Sequence, residues 1–347
     1  MKKIIFLFLL IILIISFFLY SLASIYLPKH SFPGQEKIID IEKGKGSKEI
    51  ATLLKKEGVI RSEIFFLFYA SLRGQIRQLQ SGSYAFNTSM NIPQIIERLV
   101  KGDIIKEKIT IIEGWNLRDV GFYLENLGMF QAEELWELVG FPGVNYLKVN
   151  DLPLPKDFSA KYNFLADKPK EAPLEGYLFP DTYEVVKGET LDIIVSKMLG
   201  NFGSKLKEEM REEIKRQGKS IFEIVTMASL LEKEVKTPED KKIISGILWK
   251  RLEVGMPLQV DATISYITGK RTTKILIEET QIDSPYNTYK KRGLPLGPIS
   301  NPGIDSISAA IYPQKSDYWY YLSTPEGETI FSKTLNGHNS AKVKYLK

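Results

Sequence analysis

The stretch from Ile4 to Leu27 carries no charged residue and is rich in Ile, Leu and Phe. A bilayer's hydrocarbon core takes about 20 apolar residues in a helix, so this run is long enough to span one. It divides the chain into an anchor (residues 1–28) and a body. Lys2 and Lys3 precede it. The positive-inside bias then puts the N-terminus in the cytoplasm and everything after Pro28 outside. The other reading is a cleaved signal peptide, with Ser21-Leu-Ala23 as a small-x-small site. The apolar run continues past that site and exceeds a usual signal h-region, which favours an uncleaved single-pass anchor in the cytoplasmic membrane. Either way the body works outside that membrane, where there is no ATP and the large polymeric substrate is the cell wall.

The body has room for two domains with sizeable cores in a chain of 347 residues. The net charge of +5 is mild and spread along the chain. No compact Lys/Arg block points to nucleic acid. There is no cysteine, which excludes thiolate metal sites, disulfides and cysteine nucleophiles. The two histidines, His30 and His338, are too few for a His-rich metal site, and no cofactor motif is present. A Ser-His-Asp triad would have to use His338, because His30 lies against the membrane segment.

Residues 28–36 read as a short linker. The segment Ile39 to Val59 then aligns without gaps on Ile109 to Met129, with Ile39/Ile109, Ile41/Ile111, Gly44/Gly114, Leu54/Leu124 and Gly58/Gly128 identical. Both copies read as strand, glycine turn, amphipathic helix and glycine cap. A second helix follows from Ser62 to Leu72, and Gly82 to Phe86 reads as a returning strand. Strand, helix, helix, strand over about 37–87 is the plan of a LysM module, a small fold that binds N-acetylglucosamine polymers; any small α+β spacer has the same plan. Further helices are expected at Asn91–Lys101 and Ala132–Leu138, and a surface excursion at 141–173. The predicted fold class is α+β, with a LysM-like subdomain at 29–103 and a larger α+β catalytic domain at 104–347.

The run Ile221 to Val235 predicts a helix. Ile221, Ile224, Val225, Ala228, Leu231 and Val235 fall on one apolar stripe. Glu232 falls inside that stripe, while Glu223 and Glu234 point the other way, towards solvent. An ionised carboxylate facing the interior is costly, so the group tends to keep its proton or find a partner. A carboxyl group with a raised pKa suits general acid catalysis on a glycosidic oxygen. The structural alternative is a helix-end Glu paired with a cation such as Arg251. Met227 and Leu230 lie outside the stripe, which predicts a helix buried nearly all round.

Four other segments mix aromatics, amides, hydroxyls and isolated carboxylates: Leu174–Glu184, Gly255–Tyr266, Ser284–Gly303 and Phe331–Asn339. A sugar site needs this mixture, because aromatic faces stack on pyranose rings and polar groups bond the ring substituents. They supply the substrate-binding candidates Glu175, Tyr177, Gln259, Asp261, Thr263, Tyr286, Asn287, Thr288, Tyr289, Asn301 and His338. Each also has a plain structural reading. Glu175 fits a backbone cap, Asp261 a helix N-cap, Tyr286 and Tyr289 core aromatics, and His338 a satisfied loop histidine.

Taken in order, Glu-Gly-Tyr-Leu-Phe-Pro-Asp-Thr-Tyr (175–183), Leu-Glu-Lys-Glu (231–234), Leu-Gln-Val-Asp-Ala-Thr (258–263), Ser-Pro-Tyr-Asn-Thr-Tyr (284–289) and Gly-Pro-Ile-Ser-Asn-Pro-Gly (297–303) closely resemble the endolytic murein transglycosylase family, also called YceG-like. The resemblance covers essentially the whole chain. Two positions depart from it. Leu296 stands where a second proline is usual, which predicts a slightly looser loop, and Gly337 stands before His338-Asn339 where an acidic residue is common. The resemblance implies that the Glu opening Glu-Lys-Glu, here Glu232, is the catalytic acid. It would protonate the oxygen leaving C1 of N-acetylmuramic acid, and the sugar's own C6 hydroxyl would then close a 1,6-anhydro ring. Implied partners are peptidoglycan strands, the cytoplasmic membrane and peptidoglycan synthases. The rival readings are a water-using muramidase, with Asp261 or Glu175 as second carboxylate, and an inert wall-binding scaffold.

Overall fold

The computed structural model describes residues 2–29, 33–149, 151–270 and 275–346, so His30 lies outside the described residues. The chain forms two compact units, Met1–Lys108 with Glu184–Glu189, and Ile109–Tyr183 with Thr190–Lys347. Both are mixed α and β.

The first unit opens with α1 (Lys2–Tyr26), apolar and long enough to cross a membrane. Strand β1 (Glu36–Ile41) leads into α2 (Ser47–Lys56) and α3 (Glu63–Leu72), and β2 (Gly82–Asn87) returns antiparallel to β1, with Ile39 opposite Tyr84. Helix α4 (Ile92–Lys101) starts at Asn91, whose side chain accepts from the Gln94 amide, and stops at Gly102 in the left-handed region. Ile39, Leu54, Phe66, Tyr84, Phe86 and Leu99 fill the core between the hairpin and the helices. A groove of about 600 Å³ runs beside the end of α4. Its cations already have partners: Arg98 with Asp103, Lys101 with Glu97 and Lys106 with Glu184.

Strand β3 (Lys106–Thr110) pairs with β4 (Thr182–Val186). Helix α5 (Leu117–Asn126) repeats the geometry of α2. Gly44 and Gly114 in the turns, and Gly58 and Gly128 past the helix ends, all take positive φ. That shared geometry is why the two segments align. The second unit continues with α6 (Ala132–Val139), α7 (Leu191–Lys205), α8 (Glu208–Arg216), α9 (Ile221–Glu234), α10 (Pro238–Glu253), α11 (Asp261–Thr268) and α12 (Ile304–Ile311). A hairpin of β5 (Tyr320–Ser323) and β6 (Thr329–Ser332) and helix α13 (Leu335–Tyr345) close it. Helix α9 is its axis. Every residue from Ile224 to Leu231 is buried, and α12, α10, α11 and α8 pack around it. The expected burial on nearly all sides is what the structure has.

Candidate active site

Helix α9 is started by Ser220, whose hydroxyl accepts from the Glu223 amide while the Glu223 carboxylate accepts from the Ser220 amide. It ends at Glu234. Val235 is extended, and Thr237 with Pro238 starts α10 two residues on. Glu232 and Glu234 are about 200° apart around the helix, so they point to opposite sides. Because α9 is wrapped by other elements, both sides are occupied by protein.

Glu234 does not point freely to solvent, as the apolar-stripe argument expects. It is half-buried and accepts a 2.8 Å hydrogen bond from the Tyr321 hydroxyl of β5. Burial, reinforced by the negative charge of Asp261, pushes its carboxyl up to about 7, against the pull of Tyr321 and Arg251. Asp261 is the first residue of α11, one position inside the expected N-cap, which is Val260. Its carboxylate is exposed and accepts from the Tyr289 hydroxyl. Gln259 is exposed beside it at φ +54°, the one non-glycine residue with positive φ among those described. Arg251 is buried and donates to the carbonyls of Leu258 and Trp319, with its guanidinium 5.4 Å from the Tyr320 ring centre. His338 of α13 stacks on Tyr320 at 5.4 Å. Burial lowers its pKa, and its Nδ1 has no hydrogen-bond partner among the described residues. The ends of α9 and α11, the loop to Tyr289, β5 and α13 thus converge on one partly open patch.

Glu232 lies on the other side in a polar cage. Its side chain is 9 % exposed and sits 3.3 Å from Nζ of the buried Lys241. Oε2 also accepts from the Gly303 amide at 2.9 Å and the Ser306 hydroxyl at 2.7 Å, at the start of α12. The cation is therefore Lys241 and not Arg251, and donors meet the carboxylate where the apolar stripe predicts hydrocarbon. The Glu232 carboxyl group thus meets the Lys241 ammonium and two further donors at the start of α12. Glu113 reaches the same place. A Cβ on Gly303 would lie 2.1 Å from Glu113 Oε1, so any larger residue there would have to displace the Glu113 carboxylate. Partial burial, and then the charge of Glu232, raise the Glu113 carboxyl.

The remaining candidates hold the loops in place. Glu175 is enclosed, accepting from the Leu117 amide and the Tyr266 hydroxyl, and burial pushes it up to about 8. Tyr177 is fully buried against Phe164 and Phe202. Thr263 and Thr288 bond each other at 3.1 Å, and Thr288 accepts from the Val260 amide. Asn287 donates to the carbonyls of Thr280 and Ile282, and Asn301 ties Leu178 to Trp115. Tyr286 packs on Tyr266 at 5.1 Å. None of these side chains reaches the surface. Leu296 does not loosen its loop as expected, because its amide, which a proline would lack, donates to the Pro285 carbonyl. Sequence reasoning left out Tyr321, Lys241 and Glu113. A signal for Glu113 existed, since it precedes the repeated glycine Gly114.

The YceG-like family model matches residues 39–344. An endolytic murein transglycosylase of Bacillus subtilis is 36 % identical over 312 residues, covering 89 % of this chain and 84 % of the relative. A Streptococcus pneumoniae protein of the same name is 31 % identical over 326 residues, covering 89 % of this chain and 58 % of that longer protein. The crystal structure of a yceG-like protein from Listeria monocytogenes superposes with a TM-score of 0.58 at 31 % identity, covering 89 % of this chain and all of that one. With the family model matched over most of the chain and a relative 36 % identical over 89 % of it, this chain belongs to the YceG-like family.

Proposed function

We propose that this chain is a membrane-anchored endolytic lytic transglycosylase that cuts the β-1,4 bond between N-acetylmuramic acid and N-acetylglucosamine in nascent peptidoglycan. We further propose that proton transfer belongs to Glu234, not to the Glu232 of the sequence expectation. The observation carrying this is the setting of Glu234: a half-buried carboxyl held near 7 at a partly open patch, with one oxygen engaged by Tyr321. General acid catalysis works best with a pKa near the working pH. Glu232 instead has a lysine and two further donors on its carboxylate, an arrangement suited to fixing α9 against α10 and α12.

In this mechanism Glu234 gives its proton to the oxygen leaving C1, and the C1–O bond breaks. Positive charge builds at C1, with the exposed Asp261 carboxylate, oriented by Tyr289, beside it. The sugar's C6 hydroxyl attacks C1 and returns its proton to Glu234, closing the 1,6-anhydro ring without water. The proximity of Asp261 also supports a second reading, a muramidase in which it is the second carboxylate. Helix α1 supports a single-pass anchor, with Lys2 and Lys3 favouring a cytoplasmic N-terminus. A tether this short favours cutting within strands as they leave their synthases, setting strand length. The βααβ plan of the first unit supports a glycan-holding role, checked by comparing sacculus binding with cleavage of short soluble glycans after its removal.

The test is mass spectrometry of muropeptides released from sacculi by the full chain in nanodiscs. Anhydro ends on long fragments are expected. Reducing ends would make it a hydrolase, and release of single disaccharides alone would make it exolytic.

A further inference from the structure

Helix α3 has three faces, and the described residues cover two of them. Phe66 and Ala70 enter the core of the first unit. Phe65 and Tyr69 turn towards α1, with Phe65 edge-on to Tyr20 at 5.8 Å and Tyr69 edge-on to Tyr26 at 6.2 Å. Ile64, Phe68 and Leu72, at i, i+4 and i+8, make a third stripe. They are 76 %, 56 % and 69 % exposed. A row of large apolar side chains of this kind marks a surface that meets something other than water.

We propose that α3 lies in the lipid interface, with Ile64, Phe68 and Leu72 among the acyl chains beside α1. This rests on the reading of α1 as the membrane anchor. The occupant follows from continuity with that helix. Tyr20 lies six residues before Tyr26, the last residue of α1, which is about 9 Å along the axis. The last turns of a span sit at the edge of the hydrocarbon, so a helix packed sideways on them shares that depth. On the helical wheel the exposed stripe adjoins the face that touches α1, so it looks out along the bilayer and away from the core. The exit from the span is tied to the unit: Asn91 Nδ2 donates to the Tyr26 carbonyl at 3.3 Å, and Arg61 Nη2 to the Pro28 carbonyl at 2.6 Å. Exposed Arg73 and Arg77 follow α3 and suit anionic headgroups. An interfacial helix combines an apolar face with flanking cations in this way. The first unit is then fixed to the membrane by two apolar elements, and its orientation on the surface is set as well as its tether.

The chain has no cysteine, so single-cysteine labelling needs no background changes. Ile64→Cys, Phe68→Cys, Lys48→Cys and Leu13→Cys are made in the full chain and labelled with an environment-sensitive fluorophore. Each is reconstituted at high lipid-to-protein ratio in phosphatidylethanolamine/phosphatidylglycerol liposomes carrying nitroxide lipids, labelled either shallow or at the bilayer centre. Labels at 64 and 68 are expected to lose about half or more of their emission to shallow nitroxides, as an interfacial position requires. The label at 48, at an exposed position of α2, is expected to lose little, and the label at 13 to be quenched most by the deep probe. If 13 is quenched while 68 behaves like 48, the stripe faces water or a second copy of the chain, and the proposal is overturned. If 13 itself escapes the deep probe, the anchor reading fails and takes this proposal with it.

Discussion

Replacing Lys241 by methionine should destabilise the second unit strongly. Lys241 and Glu232 are 5 % and 9 % exposed, with Nζ 3.3 Å from the carboxylate. Removing one member of a buried pair strands the other charge, at about 3–5 kcal/mol. Glu232 keeps the Gly303 amide and the Ser306 hydroxyl, which places the loss towards the lower end of that range. For a unit of this size, a loss of about 3 kcal/mol corresponds to roughly 6–12 °C in melting temperature. Adding Glu232→Gln should recover part of the loss, because the amide oxygen still accepts from Gly303 and Ser306 without a stranded charge. The assay is thermal unfolding of the full chain in detergent, wild type against both variants. A loss of less than about 1 kcal/mol, the range of an exposed pair, would refute the view that the Lys241–Glu232 contact holds the scaffold. So would a double variant less stable than Lys241→Met alone.

Three further outcomes are expected. The acid form of Glu234 is needed for the first step and its carboxyl sits at about 7, so activity should fall as pH rises through that value; Tyr321→Phe removes a donor that favours the carboxylate, so the falling limb in a pH–rate profile should move up. Glu175, raised to about 8, holds a proton in the folded chain that the unfolded chain releases above about 4.3, so its contribution to stability should decline between those values and level off above; urea unfolding across pH should show a shallower decline in Glu175→Gln than in wild type, the part due to Glu234 remaining. Gln259 at φ +54° is strained, so Gln259→Gly should raise stability by about 0.5–1 kcal/mol while lowering cleavage if its exposed amide meets the glycan, a pairing read by melting temperature and initial rate on the same preparation.

Features written locally were readable before the fold was known. The span of α1, the repeated strand–turn–helix units and the ends of α4 and α9 depend on nearby apolar periodicity, caps and glycines. The Glu-Lys-Glu motif is legible as a place, but the surroundings of its two carboxylates are not. The apolar-stripe argument assumes one face inside and one face in water. Helix α9 is buried on all sides, so the direction taken as solvent leads to Tyr321, and the direction taken as apolar leads to Lys241 and the start of α12. Those neighbours come from distant segments, and no local pattern announces them. The same limit explains Thr263, Asn287, Thr288 and Asn301. Amides and hydroxyls that bind sugars and those that pin loops have the same composition, and only the buried partners distinguish them. Tyr289 and Asp261 reach the patch because those pinned loops carry them there.

The central claim is that Glu234 moves the proton and Glu232 holds the scaffold. The most direct measurement is the initial rate of anhydro-end formation from sacculi by full-length wild type, Glu234→Gln and Glu232→Gln, quantified by mass spectrometry well below each variant's melting temperature. Glu234→Gln should melt near wild type and lose about 10²–10⁴-fold in rate, the range for a removed acid–base group. Glu232→Gln should melt lower yet, while folded, keep its rate within about tenfold, since no proton transfer is lost. The opposite order, with a folded Glu232→Gln inactive and Glu234→Gln near wild type, would contradict the assignment and return the acid to Glu232.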